Sequence, residues 1–169
     1  MCLILLAWQA HPDYPLVMAA NRDEFFSRRT AAADFWDDTP GVLAGRDLEA
    51  GGTWLGVSRN GRFAALTNYR DPARNKAGAP SRGELVSRFL AGLQSPEAYF
   101  AELESCADRY NGFNLVFGDP AGLWCFSNCG EGEPQLAPVV YVLSNHLLDS
   151  PWPKLLRTRT RLSELIAAD

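Results

Sequence analysis

Six consecutive apolar residues, Leu3-Ile4-Leu5-Leu6-Ala7-Trp8, start one position after the first cysteine of the chain and stop at Gln9-Ala10-His11-Pro12. The run is far too short to span a bilayer, and no Lys or Arg stands ahead of it as in a secretory signal. It reads as a buried strand. His11-Pro12-Asp13-Tyr14-Pro15 then turns the chain, and Leu16-Val17-Met18-Ala19-Ala20 brings it back to Asn21-Arg22-Asp23-Glu24. Two strands and a turn set Cys2 near a dense cluster of polar groups.

Past Glu24, the Ala- and Asp-rich stretch to Thr39-Pro40-Gly41 has no clear period and reads as irregular or as a short helical turn. Val42 to Asp47 suits a short strand, followed by Gly51-Gly52, which can take backbone angles closed to other residues. Strand-like runs from Thr53 to Ser58 and from Arg62 to Thr67 flank Arg59-Asn60-Gly61, and Asn-Gly there predicts a type I′ hairpin turn. Asp71 to Pro80 breaks regular structure as a surface loop. Ser81-Arg82-Gly83-Glu84 predicts a capping box opening a helix, with Leu85, Val86, Phe89, Leu90 and Leu93 as its apolar stripe. Ser95-Pro96 opens a second helix that carries Tyr99, Leu103, Cys106 and Tyr110 on one face and ends at Gly112.

Phe113 to Phe117, Leu123 to Phe126 and Val139 to Leu143 are strand-like, with turns at Asp119 to Gly122 and Gly130 to Pro134 between them. Ser150-Pro151 caps a last helix through Leu155, Leu156, Leu162 and Ile166. The order of elements predicts a single α+β domain over residues 1–169, a mainly antiparallel sheet structure with helices covering its faces. The last helix reaches Asp169 without a Gly or Pro stop, as expected of a chain cut from a longer one.

At 169 residues, with 47% hydrophobic and 21% charged residues, the chain can bury a full core. A net charge of -4 argues against a general nucleic-acid binder, which needs a basic field. The basic run Lys154, Arg157, Arg159, Arg161 reads as the solvated face of a helix. Cys2, Cys106, Cys125 and Cys129 contain no Cys-x-x-Cys pair, and there are only two His. No metal site is therefore expected, and the thiols are expected to be reduced, in the cytoplasm.

Cys2 has an option that a later cysteine lacks. Once the initiator Met is removed, its own α-amine, which titrates near about 7.7 to 8 in peptides, can take the thiol proton at neutral pH. Asp23 is placed to orient that amine. Arg22 is placed to lower the thiol pKa or to bind a substrate carboxylate. Asn68, in Leu66-Thr67-Asn68-Tyr69-Arg70, and Asn145, in Leu143-Ser144-Asn145, stand at strand ends as neutral amide donors for an oxyanion. Each has a plainer reading: a buried thiol, a structural ion pair, a turn residue.

Eight spaced motifs resemble the NRDE family, also called the transport and Golgi organisation family. They are Met1-Cys2-Leu3-Ile4, Ala20 to Glu24, Ala44 to Asp47, Gly51 to Gly56, Ala65 to Arg70, Ser81 to Gly83, Tyr110 to Leu115, and Leu143 to Asn145 with Pro151 to Lys154. The resemblance implies an N-terminal-nucleophile hydrolase-like α-β-β-α sandwich. It also implies similarity to cysteine amidases of bile salts and penicillins, with Cys2, Asp23 and Asn145 in their catalytic positions and Asn68 as a further donor. Here Arg follows Asn instead of preceding it, so Arg22 does not match the amidase arginine. A later arginine of those enzymes would fall beyond Asp169, and family members usually continue well past this length.

Two functions follow as expectations. In one, Cys2 hydrolyses or transfers an acyl group from an amide or thioester of a small molecule, with no cofactor required. In the other, implied by the family, the same fold binds and passes on haem or an acyl-CoA or lipid, with Trp54, Tyr69, Arg70 and Arg22 at the site. For haem, His11, His146, Cys125, Cys129 and Met18 are conceivable ligands, and no spacing selects one.

Overall fold

The computed structural model describes residues 2–130 and 134–168, without the side chain of Arg74. Met1 and the middle of the expected turn from Gly130 to Pro134 lie outside the described residues. Among those described, the strands are β1 (Leu3–Trp8), β2 (Leu16–Asn21), β3 (Thr30–Trp36), β4 (Thr39–Asp47), β5 (Leu55–Ser58), β6 (Phe63–Asn68), β7 (Phe113–Asp119), β8 (Gly122–Ser127) and β9 (Val140–Leu143). The helices are α1 (Gly83–Ala91), α2 (Pro96–Cys106) and α3 (Pro153–Ala167).

All strand pairs are antiparallel. They form a three-stranded sheet in the order β2-β1-β9 and a six-stranded sheet that runs in sequence order from β3 to β8. The apolar run of β1 is explained by its central position. Alternation sends Ile4, Leu6 and Trp8 toward the six-stranded sheet, where they pack with Phe63, Ala65, Val116, Leu123, Tyr141 and Leu143. Leu3, Leu5 and Ala7 point to the opposite face, which α3 approaches through β9 and β1.

On its other face the six-stranded sheet meets α1 and α2. Leu85, Val86, Phe89, Leu90, Tyr99 and Leu103 from the helices join Leu115, Phe117 and Phe126 there. Phe89, Tyr99 and Phe117 meet pairwise at centroid separations of 5.0 to 5.4 Å, a geometry that adds to plain burial. The layers are therefore α, β, β, α, with two apolar cores between them. Among the described residues no helix is long and apolar enough to cross a membrane.

Several local expectations are corrected. The Ala- and Asp-rich stretch is not irregular: Thr30–Trp36 is β3, an edge strand exposed along nearly all its length. An edge strand needs no alternating apolar face, and its bulged pairing with β4 erases the period as well. The hairpin between β5 and β6 turns at the expected place but not as type I′. Only Gly61 has positive φ, at 82°, and its N–H bonds Ser58 O at 3.0 Å while Ser58 N–H bonds Arg62 O at 2.8 Å. That is a three-residue loop ending in a left-handed glycine.

The capping box at Ser81 does not form. The cap residue of α1 is Arg82, and Ser81 Oγ accepts from Gly83 N at 3.3 Å. Glu84 is drawn away to take the Tyr110 hydroxyl. Leu93 lies past the end of α1 and is 92% exposed, so it leaves the stripe. The second helix stops at Cys106 and continues only as a 3-10 turn through Arg109. Ser150 does not cap α3 either; Trp152 precedes it with Pro153 as the first helical residue. Ser150 Oγ instead donates to Leu147 O at 2.6 Å.

Candidate active site

The register of the small sheet builds the site. Leu3 pairs with Asn21 on one side of β1 and Ile4 pairs with Leu143 on the other. Extending both pairings by the remaining residues sets Cys2 between Arg22 and Asn145. Cys2 shares a face with Ile4, Leu6 and Trp8, so its thiol points into the gap between the sheets. The apolar filling ends there, and a cleft of about 500 Å³ opens, lined by Cys2, Asn21, Arg22, Asp23, Asn68 and Arg82 among others.

Strand β2 ends at Asn21. Because regular alternation stops there, Arg22, Asp23 and Glu24 can all line the cleft. Cys2 Sγ lies 3.9 Å from the backbone carbonyl of Asp23, and Asn21 Nδ2 donates to Asp23 Oδ1 at 3.1 Å. Arg22 reaches across the gap: its guanidinium stands 4.1 Å over the Trp54 ring and donates to Glu24 Oε2 at 3.2 Å. Both the stack and the ion pair are satisfied within the cleft wall.

Cys2 is also held from behind. Ser144 Oγ donates to the Cys2 carbonyl at 2.6 Å, and Lys154 Nζ donates to Ser144 Oγ at 3.3 Å. Burial raises the Cys2 thiol above its ordinary pKa, with Arg22 opposing the shift and Glu24 adding to it. Cys125, partly buried against the core between the sheets, is pushed by burial up to about 12.

Of the two amide candidates, Asn68 lines the cleft and its side chain makes no hydrogen bond to a described residue. Asn145 lies outside the lining and donates Nδ2 to Asn68 O at 2.9 Å, while Asn145 O accepts from Arg70 N at 2.9 Å. Tyr69 and Arg70 lie outside the lining as well. The Tyr69 ring packs 5.1 Å from His146. Trp54 is in the lining.

Three cleft residues escaped the sequence reading. Arg28 donates Nε and Nη2 to Asp47 Oδ2 at 3.0 and 2.7 Å, tying the segment after Glu24 to the end of β4. Burial works against the Asp47 carboxylate, but Arg28 and the N–H groups of Glu49 and Ala50 outweigh it and hold the carboxyl below its usual range. Arg82, read as part of a helix cap and of the Ser81 to Gly83 motif but given no role at a site, lines the cleft and donates to Gly112 O at 2.9 Å. The signal available for both arginines was charge placed beside turn and cap residues, which also describes ordinary surface.

Among the described residues no group of three or more His, Cys, Asp or Glu is placed to hold a metal ion. Among the described side chains that ligate haem iron, Cys2 alone lines the cleft; His11, His146, Cys125, Cys129 and Met18 stand elsewhere. His11 is engaged at the turn after β1, where its Nδ1 accepts from Asp13 N at 3.0 Å. His146 is 2.9 Å from Ser150 Oγ. An axially ligated haem in this cleft therefore has no imidazole to bind it.

The Transport and Golgi organisation 2 family matches residues 1–169. The chain belongs to that family. It is 44% identical over 168 residues to the Transport and Golgi organization protein 2 homolog of Bos taurus, covering 92% of this chain and 60% of that one. The Mus musculus homolog is 43% identical over the same coverage. The chain thus spans 60% of the length of these Transport and Golgi organisation 2 relatives. Among solved structures, penicillin V acylase from Agrobacterium tumefaciens aligns with 97% of this chain and 49% of its own, at 12% identity and a TM-score of 0.40. Likeness of that degree says nothing about chemistry.

Proposed function

We propose that the cleft is the site of an N-terminal-nucleophile-type hydrolase or acyltransferase, in which Cys2 attacks the carbonyl of an amide or thioester. The supporting observation is convergence: Cys2 Sγ, the Asn21–Asp23 pair and the unengaged Asn68 amide come from three strand ends and line one cleft. Removal of Met1 frees the Cys2 α-amine. That amine takes the thiol proton as Sγ bonds to the carbonyl carbon. Asp23 orients the amine in its charged form, and Asn68 donates to the developing oxyanion. Collapse expels the amine or thiol leaving group, which receives the proton. Water or an acceptor then releases the acyl group from the thioester.

With Met1 attached, burial raises the Cys2 thiol, which makes it a poor thiolate source at neutral pH; the freed amine supplies the base that this form lacks. Intact mass and turnover test the reading together. Mature protein is expected to lack Met1 and to hydrolyse acyl-amide or acyl-thioester substrates, and Cys2→Ala is expected to be inactive while folded. A mature protein that keeps Met1, or a Cys2→Ala variant as active as wild type, overturns it.

The same raised pKa favours a second reading, a carrier for haem or an acyl-CoA or lipid, in which Cys2 stays a protonated thiol in the wall. Saturable binding of an acyl-CoA by Cys2→Ala with no turnover in wild type supports it, and a saturable Soret shift on adding haem extends it to haem.

A further inference from the structure

The cations of the cleft are not equally neutralised. Arg28 is bonded twice to Asp47, with Glu24 and Glu49 also in ion-pair range. Arg22 is paired with Glu24 and stacked on Trp54. Arg82 differs. Its one hydrogen bond to a described residue goes to the backbone carbonyl of Gly112, and no carboxylate among the described residues lies in ion-pair range. Burial works against its charge; Glu24 favours that charge from farther off and Arg28 opposes it.

A half-buried guanidinium held in place by one carbonyl, with no counter-ion among the described residues, is an incomplete arrangement. Partly buried cations are ordinarily paired, and an arginine fork suits the two oxygens of a carboxylate or phosphate. The same cleft carries an apolar wall of Ile4, Ala20, Leu55 and Leu66. We propose that Arg82 anchors an oxyanion on the molecule bound in this cleft, so that its ligand is an amphipathic acid with a carboxylate or phosphate at one end and an apolar chain beyond. The assignment rests on the cleft being a ligand site, as proposed above, but not on Cys2 chemistry.

Calorimetric titration of the Cys2→Ala protein with octanoate, octyl phosphate and octanamide separates the possibilities, since no turnover is needed for binding. At least one of the two anions is expected to bind about tenfold or more tighter than octanamide, as a charged hydrogen-bonded partner implies. Which anion binds tighter distinguishes a carboxylate from a phosphate ligand. Adding Arg82→Gln is expected to erase the preference. Arg82→Lys, which keeps the charge without the fork, is expected to retain part of it. Octanamide binding as tightly as both anions, no binding by any of the three, or a preserved preference in a folded Arg82→Gln protein overturns the assignment. If Arg82→Gln does not fold, the comparison of the three probes and Arg82→Lys decide alone. Failure of turnover in the wild type leaves this result standing, so the two proposals fail separately.

Discussion

Asn145, two residues past the end of β9, donates its side-chain amide at 2.9 Å to the backbone carbonyl of Asn68, the last residue of β6 in the other sheet. The bond leaves the Asn68 side chain available to the cleft and gives Asn145 the task of fixing where that side chain starts. Asn68→Ala is therefore expected to lower kcat by about a hundredfold or more, the usual cost of removing an oxyanion donor, with little change in KM. Asn145→Ala should cost less, and mainly through kcat. Steady-state kinetics on any substrate the wild type turns over will check the ranking; a larger loss for Asn145→Ala would reverse the two roles.

Burial of Cys2 has a measurable consequence in protein that retains Met1. With its thiol pKa above the ordinary 9.0, alkylation by iodoacetamide should be slow near neutral pH and accelerate only above pH 9. Cys125, pushed up to about 12, should react later still. Peptide mass mapping across a pH series resolves the two, and fast neutral alkylation of Cys2 contradicts the burial argument.

The Arg28–Asp47 pair joins the loop after β2 to the larger sheet. The folded-state pKa of Asp47 is lowered, so its contribution is fully present above the unfolded value of about 3.8 and fades as pH falls through the lower folded value. Asp47→Asn is expected to cost about 1.5 kcal/mol at neutral pH, typical of a hydrogen bond to a charged group. The gap between variant and wild type in urea titrations should close as pH drops below 4. A gap constant from pH 7 to pH 2 would remove Asp47 as its source.

Gly52 touches the start of α1 so closely that a Cβ there would come within 2.6 Å of the Gly83 carbonyl carbon and 2.9 Å of Glu84 N. Both are backbone atoms, which cannot swing aside as a side chain can. Gly52→Ala should push α1 outward at a cost of about 1 to 3 kcal/mol, typical of overpacking. The displacement would carry Arg82 with it. A thermal midpoint unchanged from wild type would refute the contact.

The sequence was most informative where pattern and packing agree. The strands of the β5–β6 hairpin, the buried run of β1 and the stripe of α1 through Leu90 all lie where periodicity places them, because each faces an apolar layer. Edge strand β3 faces water, so no period marks it. The ends of α1 and α3 were misjudged because Ser81 and Ser150 found partners other than a cap, through contacts that no local motif encodes. The site was half legible. Cys2, Asp23, Asn68, Arg22 and Trp54 share the cleft, whereas Tyr69 and Arg70, next in sequence to Asn68, turn away where β6 ends. Arg28 from a loop, Asp47 from the end of β4 and Arg82 from the cap of α1 meet the cleft only through tertiary folding, and none carries a local signal that sets it apart from surface.

The bond from Ser144 to the carbonyl of Cys2 spans 142 positions of sequence. When the first hairpin emerges during synthesis, Cys2 and the Asn-Arg-Asp-Glu segment already exist, yet the strand that backs the cysteine and the amide that steadies Asn68 do not. Contacts this distant form late, after the long loops between them have closed. Nascent or clipped chains lacking β9 should therefore carry the signature residues without a competent cleft, and reactivity becomes a marker of completed folding.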